Sequence, residues 1–273
     1  MARVVVVAQR KGGTGKSTVS LSLAAAGGSR AFQRAMVDLD SQGNASTWAL
    51  GRAAVRGLRR ELSAAVLEYP TARKWLPSGH ELLAPNVTRE HVIEYVGKHC
   101  TYPVPEVPGL SIVPIAPHVH IEDARELLLR ELPADWVIVD TGADTSSHPV
   151  RSALTQADEV VIPTLPDTFS TWGIEHVLRE ISSCGRADLI ESGSVRVVIN
   201  GRQRCTLHDV AERDIREQFG ALVSPVVVSR AVAVAEAAIT PQLLTKRNPI
   251  WKAATQLWAE IEGHKKQKKR GAA

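Results

Sequence analysis

The sequence has few cysteines and lacks any long apolar run near its start. Its three cysteines, Cys100, Cys184 and Cys205, are widely spaced and form no CxxC pair or Cys/His cluster. This pattern argues against a zinc site and against a disulfide framework. The early apolar run Val4–Ala8 is too short to span a bilayer or to form the core of a signal peptide. We therefore expect a protein of the reducing cytoplasm.

The composition is that of an ordinary globular protein, with 44% hydrophobic and 23% charged residues among 273. These fractions exclude a disordered chain, a collagen-like repeat and a protein with many membrane spans. The net charge of +4 is unevenly distributed. From Lys246 onward the chain carries eight Lys or Arg against two Glu, a net charge of +6. The basic character therefore belongs to the C-terminal segment.

Short runs rich in Val and Ile alternate with longer segments of helical period. The predicted strands are Arg3–Ala8, Ala35–Leu39, Leu110–Ile115, Trp136–Val139, Glu159–Ile162, Val195–Ile199 and Leu222–Val228. The predicted helices are Gly15–Ala26, Ile121–Glu131, Thr171–Ser182, Thr206–Phe219 and Pro249–Glu262. Strands with little polar alternation are typical of a sheet covered on both faces.

This alternation predicts one three-layer α/β domain, in which helices flank a mostly parallel, twisted sheet. The domain should span residues 1–263, followed by a basic C-terminal tail at 264–273. Residues 51–108 carry poor strand signals and several prolines, so we expect helices and loops there. The sequence shows neither an internal repeat nor a second domain.

A phosphate-binding loop follows the first predicted strand and opens a helix, with the sequence QRKGGTGKST at residues 9–18. Glycines let backbone N–H groups turn toward phosphate oxygens, and the start of a helix adds positive potential. Lys16 would neutralise the β- and γ-phosphates, and the Ser17 hydroxyl would bind Mg²⁺. The predicted nucleotide cradle comprises Gly12, Gly13, Thr14, Gly15, Lys16, Ser17 and Thr18.

One detail narrows the class of loop. An ordinary GxxxxGK[ST] loop has glycine where this chain has Arg10, and here a second lysine, Lys11, precedes Gly12-Gly13. The pattern resembles the deviant motif xKGGxGK[ST] of the ParA/MinD family of P-loop ATPases. That resemblance implies ATP and Mg²⁺ as cofactors and a homodimer around two ATP molecules. Lys11 would reach the partner's phosphates, and catalysis would involve Lys11, Lys16 and Asp40. A cation supplied in trans stabilises the transferring phosphoryl group and makes hydrolysis depend on dimerisation.

Two further segments resemble the family. The string DLDSQGNAS at residues 38–46 implies that Asp40 organises the attacking water and Mg²⁺, whereas Asp38 is structural. The strand WVIVD ends in Asp140, which matches the carboxylate that holds Mg²⁺ through water. The metal site is therefore predicted at Ser17, Asp40 and Asp140. The chain departs from the family at Gly142-Ala143, where two prolines are usual.

The last third carries weaker matches. VVIN at residues 197–200 resembles the strand whose Asn recognises adenine, although Asn200 before glycine is equally typical of a turn. VVVSRAVAVAEA at residues 226–237 resembles a family segment whose basic residues help to bind DNA. The resemblance implies DNA contacts by Arg230, although an ion pair with an acidic residue of the body is an equal alternative for a single surface Arg. The last helix has one apolar face, which we expect to pack on the body rather than on a membrane. The cations that we expect beyond this helix, as further DNA contacts, are Lys265, Lys266, Lys268, Lys269 and Arg270.

The resemblance implies a ParA-type partition ATPase, cytoplasmic and associated with the nucleoid. Its ATP-bound dimer would bind double-stranded DNA without sequence specificity, and a ParB-like partner would stimulate slow hydrolysis. One alternative is a MinD-like ATPase that cycles on a membrane. Another is an accessory ATPase of plasmid transfer or replication. A metabolic enzyme on the same fold is a further alternative, but no substrate constellation accompanies the nucleotide motifs.

Overall fold

The computed structural model describes residues 1–27, 32–40, 42–51, 54–55, 101–114, 129–167, 170–230 and 249–271, with side chains of the last helix described to residue 263. Within these ranges the strands are β1 Arg3–Val7, β2 Arg34–Asp38, β3 Tyr102–Pro103, β4 Leu110–Val113, β5 Trp136–Asp140, β6 Glu159–Thr164, β7 Val195–Arg202 and β8 Val223–Ser229. The α-helices are α1 Lys16–Ala26, α2 Asn44–Leu50, α3 His148–Gln156, α4 Ser170–Ser183, α5 Ala187–Glu191, α6 Thr206–Phe219 and α7 Pro249–Gly271.

The strands form one sheet in the order β3-β4-β2-β5-β1-β6-β7-β8. All neighbouring strands are parallel except the pair of β3 with β4, which is antiparallel. Strand β1 lies inside the sheet between β5 and β6. After β1 the chain adds strands β2 to β5 on one side of this strand, and it then adds β6 to β8 on the other side. Open α/β sheets bind their ligands in the crevice where the strand order reverses in this way, at the carboxyl ends of the strands.

The residues of β1 show why its sequence is apolar without alternation. Val4 and Val6 belong to one core cluster and Val5 and Val7 to the other, and all four are completely buried. A strand covered on both faces has no solvent side on which polar residues would be favoured. The predicted α/β class, with a mostly parallel sheet between helices, is therefore confirmed.

Two helical layers cover the sheet. Helices α3, α4, α5 and α6 contribute side chains to one core cluster, including Leu154, Ile174 and Ile181. Helices α1, α2 and α7 contribute to the cluster on the opposite face, including Leu21 and Leu257. The phosphate loop therefore connects a central strand to a helix packed on the second of these faces.

All seven predicted strands are confirmed, with ends that shift by one to three residues. The two-residue strand β3 and the short helices α2, α3 and α5 were not predicted, because elements this short give only a weak periodic signal. Most of the predicted helix Ile121–Glu131 lies outside the described residues, and its end, Leu129–Glu131, is a 3₁₀ turn. Residues 56–100, within the weak stretch 51–108, also lie outside the described ranges.

The end of the last helix differs from the prediction. Helix α7 continues to Gly271 instead of ending near Glu262. The basic cluster Lys265–Arg270 therefore belongs to the helix and does not follow it as a separate tail. Lys, Arg and Gln are good helix formers, and cations are favourable near a helix C-terminus, which explains the continuation.

The apolar face of α7 packs on the body, as expected. Side chains of Ile250, Leu257 and Ile261 are all at least 96% buried. Trp258 contacts Trp136 edge to face, with ring centroids 4.6 Å apart, and its Nε1 donates a hydrogen bond to the Leu23 carbonyl. Among the helices that the structure describes, none combines the length and hydrophobicity that a bilayer crossing requires.

We predict that Trp258→Ala lowers the free energy of unfolding by about 3–5 kcal/mol, because a buried aromatic side chain is replaced by a cavity. The measurement is urea unfolding followed by circular dichroism. Trp172→Ala is the matched control, since that indole is 68% exposed, and its effect should stay within about 0.5 kcal/mol. Equal effects of the two substitutions would contradict the packing of α7 on α1.

Candidate nucleotide-binding site

The predicted phosphate loop lies between β1 and α1 at the carboxyl edge of the sheet. Gly13 and Gly15 have φ angles of 74° and 89°, in the left-handed region that side chains disfavour. Thr14 is buried, and its hydroxyl donates to the Lys11 carbonyl at 3.3 Å. The backbone therefore turns back on itself as a phosphate cradle requires. Gly12, Ser17 and Thr18 lie in the same loop and first helical turn.

Asn200, two residues before the end of β7, contacts this loop through its side chain. Its side-chain Nδ2 donates a 2.7 Å hydrogen bond to the Thr14 carbonyl. A Cβ atom at Gly15 would lie only 2.0 Å from that Nδ2. The position therefore requires glycine for space as well as for its φ angle. The role of Asn200 in adenine recognition stays a prediction, whereas its contact with the loop is a finding that the sequence did not reveal.

The start of α1 has the properties of an anion site. Gly15 precedes the helix without a side-chain cap, and no acidic residue lies in the first turn. The first N–H groups of the helix therefore lack a competing side-chain acceptor, and the helix dipole favours an anion there.

Lys16 lies inside the loop and is only 9% exposed. Its Nζ donates to the Lys11 carbonyl at 3.4 Å. Burial lowers the pKa of Lys16, while the charges of Asp140 and Asp40 act in the opposite direction. A cation in this environment has lost much of its hydration and stands among carboxylates, so it is well placed to pair with phosphate oxygens.

Two buried carboxylates end neighbouring strands, because Asp38 of β2 lies opposite Asp140 of β5 in the sheet register. Asp38 accepts hydrogen bonds from the Ser46 amide at 2.8 Å and the Ser46 hydroxyl at 2.7 Å. It also accepts one from the Asp40 amide at 3.2 Å. Asp38 therefore shapes the segment that carries Asp40, which agrees with its expected structural role. Burial raises the pKa of Asp38 to about 6 despite these bonds.

Asp140 has the features expected of a carboxylate that helps to hold a metal ion. Its Oδ1 accepts a 3.0 Å hydrogen bond from Ser20, whereas its Oδ2 is buried without a hydrogen-bond partner among the described residues. Burial, followed by the charge of Asp38, raises the pKa of Asp140 to about 8, and the hydroxyls of Ser17 and Ser20 oppose this shift. A buried oxygen without a donor fits water-mediated contact with a cation.

The residues present therefore fit Mg²⁺ bound together with nucleotide phosphates. Ser17 would supply a direct oxygen ligand and Asp140 a contact through water, as in other phosphate-loop proteins. Within the described ranges, no group of three His, Cys, Asp or Glu side chains is arranged to bind a metal by itself.

Asp40 lies at the same edge of the sheet and is less buried than Asp38. Its Oδ1 accepts a 3.0 Å hydrogen bond from the Gln42 amide. The loop after β5 passes nearby, since a Cβ on Gly142 would lie 4.0 Å from the Asp40 Cα. In that loop, Asp144 accepts hydrogen bonds from the amide and hydroxyl of Ser146. This turn holds part of the loop in which the family's usual prolines are missing.

Lys11 points away from the centre of the loop. Its Nζ forms a 2.6 Å ion pair with Oδ2 of Asp167, which lies just after β6. The neighbouring Arg10 contacts His176 Nδ1 at 3.3 Å. Sequence reasoning missed Asp167; an Asp three residues before a helical Ser is an ordinary helix-start signal, and nothing in it identifies a distant lysine as partner.

Comparison with known proteins identifies the family of this chain. Residues 5–244 match the family described as the CobQ/CobB/MinD/ParA nucleotide binding domain. The chain belongs to this family. The predicted membership of the ParA/MinD family is therefore confirmed, and with it a nucleotide-binding protein of a family whose ParA and MinD members are ATPases.

Individual members of the family are distant relatives. The chromosome partitioning protein ParA of Caulobacter vibrioides is 27% identical over 255 residues, which cover 86% of this chain and 83% of that protein. The chromosome-partitioning ATPase Soj of Thermus thermophilus is 28% identical over 239 residues, covering 86% and 84%. The structure of cobyrinic acid a,c-diamide synthase from Mycobacterium smegmatis with ADP and magnesium has a TM-score of 0.65 at 18% identity, covering 97% and 96%. That last likeness shows the shared fold alone.

The residues predicted to contact DNA are far from the nucleotide loop along the sequence. Arg230 is exposed directly after β8, and its amide donates to the Arg202 carbonyl at 2.9 Å. The backbone of the five C-terminal cations is helical, at the end of α7. Their role in DNA binding remains a prediction.

We predict that Gly15→Ala reduces ATP affinity at least tenfold, because the new Cβ would displace Asn200 and force a non-glycine residue to a φ of 89°. Isothermal titration with ATP and Mg²⁺ measures this effect. Gly12→Ala is the control for folding, since its Cβ would meet no protein atom within 4 Å. Its free energy of unfolding should remain that of the wild type. Undiminished ATP affinity in Gly15→Ala would contradict the Asn200 contact.

We also predict that the nucleotide-free protein loses stability as pH rises from about 4 toward 8. Because the pKa values of Asp38 and Asp140 are raised to about 6 and about 8, the folded state binds more protons than the unfolded state in this window, and stability falls with pH. In urea unfolding, Asp140→Asn should remove at least about 1 kcal/mol of this decrease. The exposed control Asp214→Asn should leave the slope unchanged; a wild-type slope in Asp140→Asn would refute the assignment.

Proposed function

We propose that this protein is a ParA-type ATPase that segregates DNA. Two copies would enclose two ATP molecules with Mg²⁺, and the dimer would bind double-stranded DNA without sequence specificity. A ParB-like partner would stimulate hydrolysis and so release the DNA. The ParA and Soj relatives support the partition role, with about 27% identity over most of both chains.

The observation that carries the proposal is the divergence of the two lysines in one phosphate loop. Lys16 points into the loop and is almost completely buried, whereas Lys11 leaves the loop and is 36% exposed. A single nucleotide in the loop would pair with Lys16. The second cation, Lys11, lies at the surface, where phosphates of another subunit would meet it in exchange for its ion pair with Asp167. Hydrolysis that needs both cations would therefore need two copies.

Other residues of the chain have distinct tasks in this proposal. The backbone N–H groups of the loop and Lys16 would bind the phosphates, while Ser17 and Asp140 would hold Mg²⁺, which neutralises charge on the β- and γ-phosphates. Asp40, which is only partly buried, would orient the attacking water. Its neighbour loop at Gly142 would transmit changes from a bound partner to Asp40.

DNA binding would use the basic C-terminal end. The last 28 residues carry the net charge of +6 while the whole chain is +4. Two copies joined by ATP would offer twice this charge to one duplex, so the nucleotide state would control affinity for DNA. Because the contacts are to phosphates, binding should weaken steeply with salt.

The buried apolar face of α7 disfavours the membrane-cycling alternative. Trp258 is 3% exposed and Ile261 is completely buried. Those side chains pack in the core with α1 and cannot enter a bilayer unless the helix detaches. The accessory role in plasmid transfer or replication would use the same dimer, and identifying the partner would separate it from partition.

The test compares retention of the full chain on non-specific duplex DNA with a non-hydrolysable ATP analogue, with ADP and without nucleotide, each with Mg²⁺ at two salt concentrations. We expect retention with the ATP analogue alone. Replacing the five cations at 265–270 by Gln should flatten the salt dependence, since fewer counterions are released. Retention that ignores the nucleotide, or binding to anionic vesicles in place of DNA, would contradict the proposal.

Two variants serve as controls in the same assay. Lys16→Ala should lose retention under every condition because ATP is not held. Asp40→Ala should remain on DNA with ATP itself, where the wild type is released after hydrolysis. Release of Asp40→Ala at the wild-type rate would remove Asp40 from its proposed task.

A further inference from the structure

Ser20 places a buried hydroxyl in the second turn of α1, beside Asp140. Its side chain is completely buried, and its Oγ lies 3.0 Å from Asp140 Oδ1 and 2.9 Å from the Lys16 carbonyl. Alanine is a better helix former than serine and has no polar group to bury. The helix itself therefore gives no reason for a serine at this position, whereas the carboxylate of Asp140 does.

The hydroxyl of Ser20 has a single proton for its two acceptors. In the regular pattern of an α-helix, the Lys16 carbonyl also accepts from the Ser20 amide. This carbonyl therefore keeps a donor when the hydroxyl turns to Asp140. The Asp140 carboxylate has less choice, because its Oδ2 is buried without a hydrogen-bond partner among the described residues. The contact with Ser20 thus matters more to the carboxylate than to the helix.

The backbone at Asp140 is already fixed. This last residue of β5 lies in register with Val7 of β1 on one side and Asp38 of β2 on the other. The hydroxyl of Thr141 donates to the Val7 carbonyl at 3.0 Å, which holds the next residue as well. What remains to be set is the rotation of the carboxylate about its side-chain bonds. By binding Oδ1, Ser20 sets this rotation and leaves Oδ2 for a cation.

Ser17 and Ser20 act on the same carboxylate in different ways. Their spacing of three residues places both on one side of α1, and both hydroxyls oppose the rise in the pKa of Asp140. Ser17 is only partly buried at the start of the helix and is the expected direct ligand of Mg²⁺. Ser20 lies one turn deeper and is completely buried. Any effect of Ser20 on the cation must therefore pass through Asp140.

We propose that Ser20 is a positioning residue that orients the Asp140 carboxylate for Mg²⁺ and thereby sets how strongly Mg²⁺ and the nucleotide promote each other's binding. This inference rests on the proposed function, in which Ser17 and Asp140 hold Mg²⁺. A carboxylate that is held in one orientation has less freedom to lose when the cation binds. Removal of the hydroxyl should weaken the hold on Mg²⁺, while the phosphate contacts of the loop remain.

The expected size of the effect follows from similar sites. Loss of a hydrogen-bond partner of a metal-binding group typically lowers metal affinity about 10- to 100-fold. Because Asp140 would contact Mg²⁺ through water, we expect the lower end of this range, about tenfold at most. Linkage requires the effect of Mg²⁺ on nucleotide affinity to fall by the same factor as the effect of the nucleotide on Mg²⁺ affinity.

The experiment measures the affinity of the full chain for ADP by isothermal titration, once with Mg²⁺ and once with EDTA. The ratio of the two dissociation constants is the Mg²⁺ effect. Ser20→Ala should lower this ratio severalfold, by up to about tenfold, while the affinity in EDTA stays that of the wild type. Ser20→Thr keeps a hydroxyl and should return the ratio toward the wild-type value.

Ser22→Ala is the matched control for loss of a buried hydroxyl from α1. Ser22 is 5% exposed. It lies two residues from Ser20 and therefore on nearly the opposite side of the helix, since an α-helix has 3.6 residues per turn. Both ADP affinities should remain those of the wild type in this variant. An equal fall of the ratio in Ser22→Ala and Ser20→Ala would show a general distortion of α1 and overturn the specific role of Ser20.

A double-mutant cycle tests whether Ser20 acts through Asp140. Asp140→Asn should itself lower the Mg²⁺ effect, and the addition of Ser20→Ala should then cause little further loss, because the group that it orients has already lost its charge. A full additional loss in the double variant would mean that Ser20 influences Mg²⁺ by another route, and it would refute the positioning role.

The outcomes separate this inference from the proposed function. If Mg²⁺ leaves the ADP affinity of the wild type unchanged, the Mg²⁺ site of the proposed function fails. If Mg²⁺ tightens ADP binding equally in the wild type and in Ser20→Ala, the site stands and the role of Ser20 is refuted. A loss of ADP affinity in EDTA by Ser20→Ala would show that Ser20 shapes the phosphate loop through the Lys16 carbonyl, which also overturns the proposal.

Discussion

A hydrogen bond from Asn200 to the Thr14 carbonyl, 2.7 Å long, holds the phosphate loop in the shape on which the rest of the site depends. The bond joins β7, two strands away, to the loop after β1, so the loop is fixed by the sheet as well as by its own sequence. The same contact leaves no room for a Cβ at Gly15. With the loop held in this way, the first N–H groups of α1 face the crevice before any nucleotide arrives, and less ordering remains for binding to supply.

Around this loop the sheet buries charged side chains, and the loss of their hydration is unfavourable. Parallel pairing of β2 and β5 brings Asp38 and Asp140 side by side in the interior. Hydrogen bonds from Ser46 and Ser20 compensate them only in part, and the raised pKa values record the remaining desolvation. Lys16 is buried beside them, and this burial disfavours its charged form and lowers its pKa. A nucleotide with Mg²⁺ would place phosphate oxygens beside Lys16 and a cation beside Asp140, which would offset part of this desolvation.

The two ends of helix α7 differ in chemistry: one is apolar and buried, and the other is basic. The apolar face of α7 is anchored in the core through Trp258, and the same helix continues as a basic segment to Gly271. Anchoring one end gives the charged end a fixed attachment to the ATPase body. On the other side of the site, α4 begins beside the acceptor of Lys11.

Much of this organisation was predictable from local sequence. Strands such as β1 and β5 were recognised because buried parallel strands are continuous apolar runs, and the loop and Asp140 because their motifs are contiguous with those strands. The short helices α2, α3 and α5 carried too few residues for a clear period. The end of α7 was misplaced because its polar residues show no apolar face, although they favour a helix. By itself, then, the sequence determined the α/β class, the phosphate loop and the carboxylates that follow the strands. Only the tertiary structure decided that Asn200 supports Thr14 and that Asp167 pairs with Lys11, because each contact joins residues more than 150 positions apart and depends on the order of strands in the sheet.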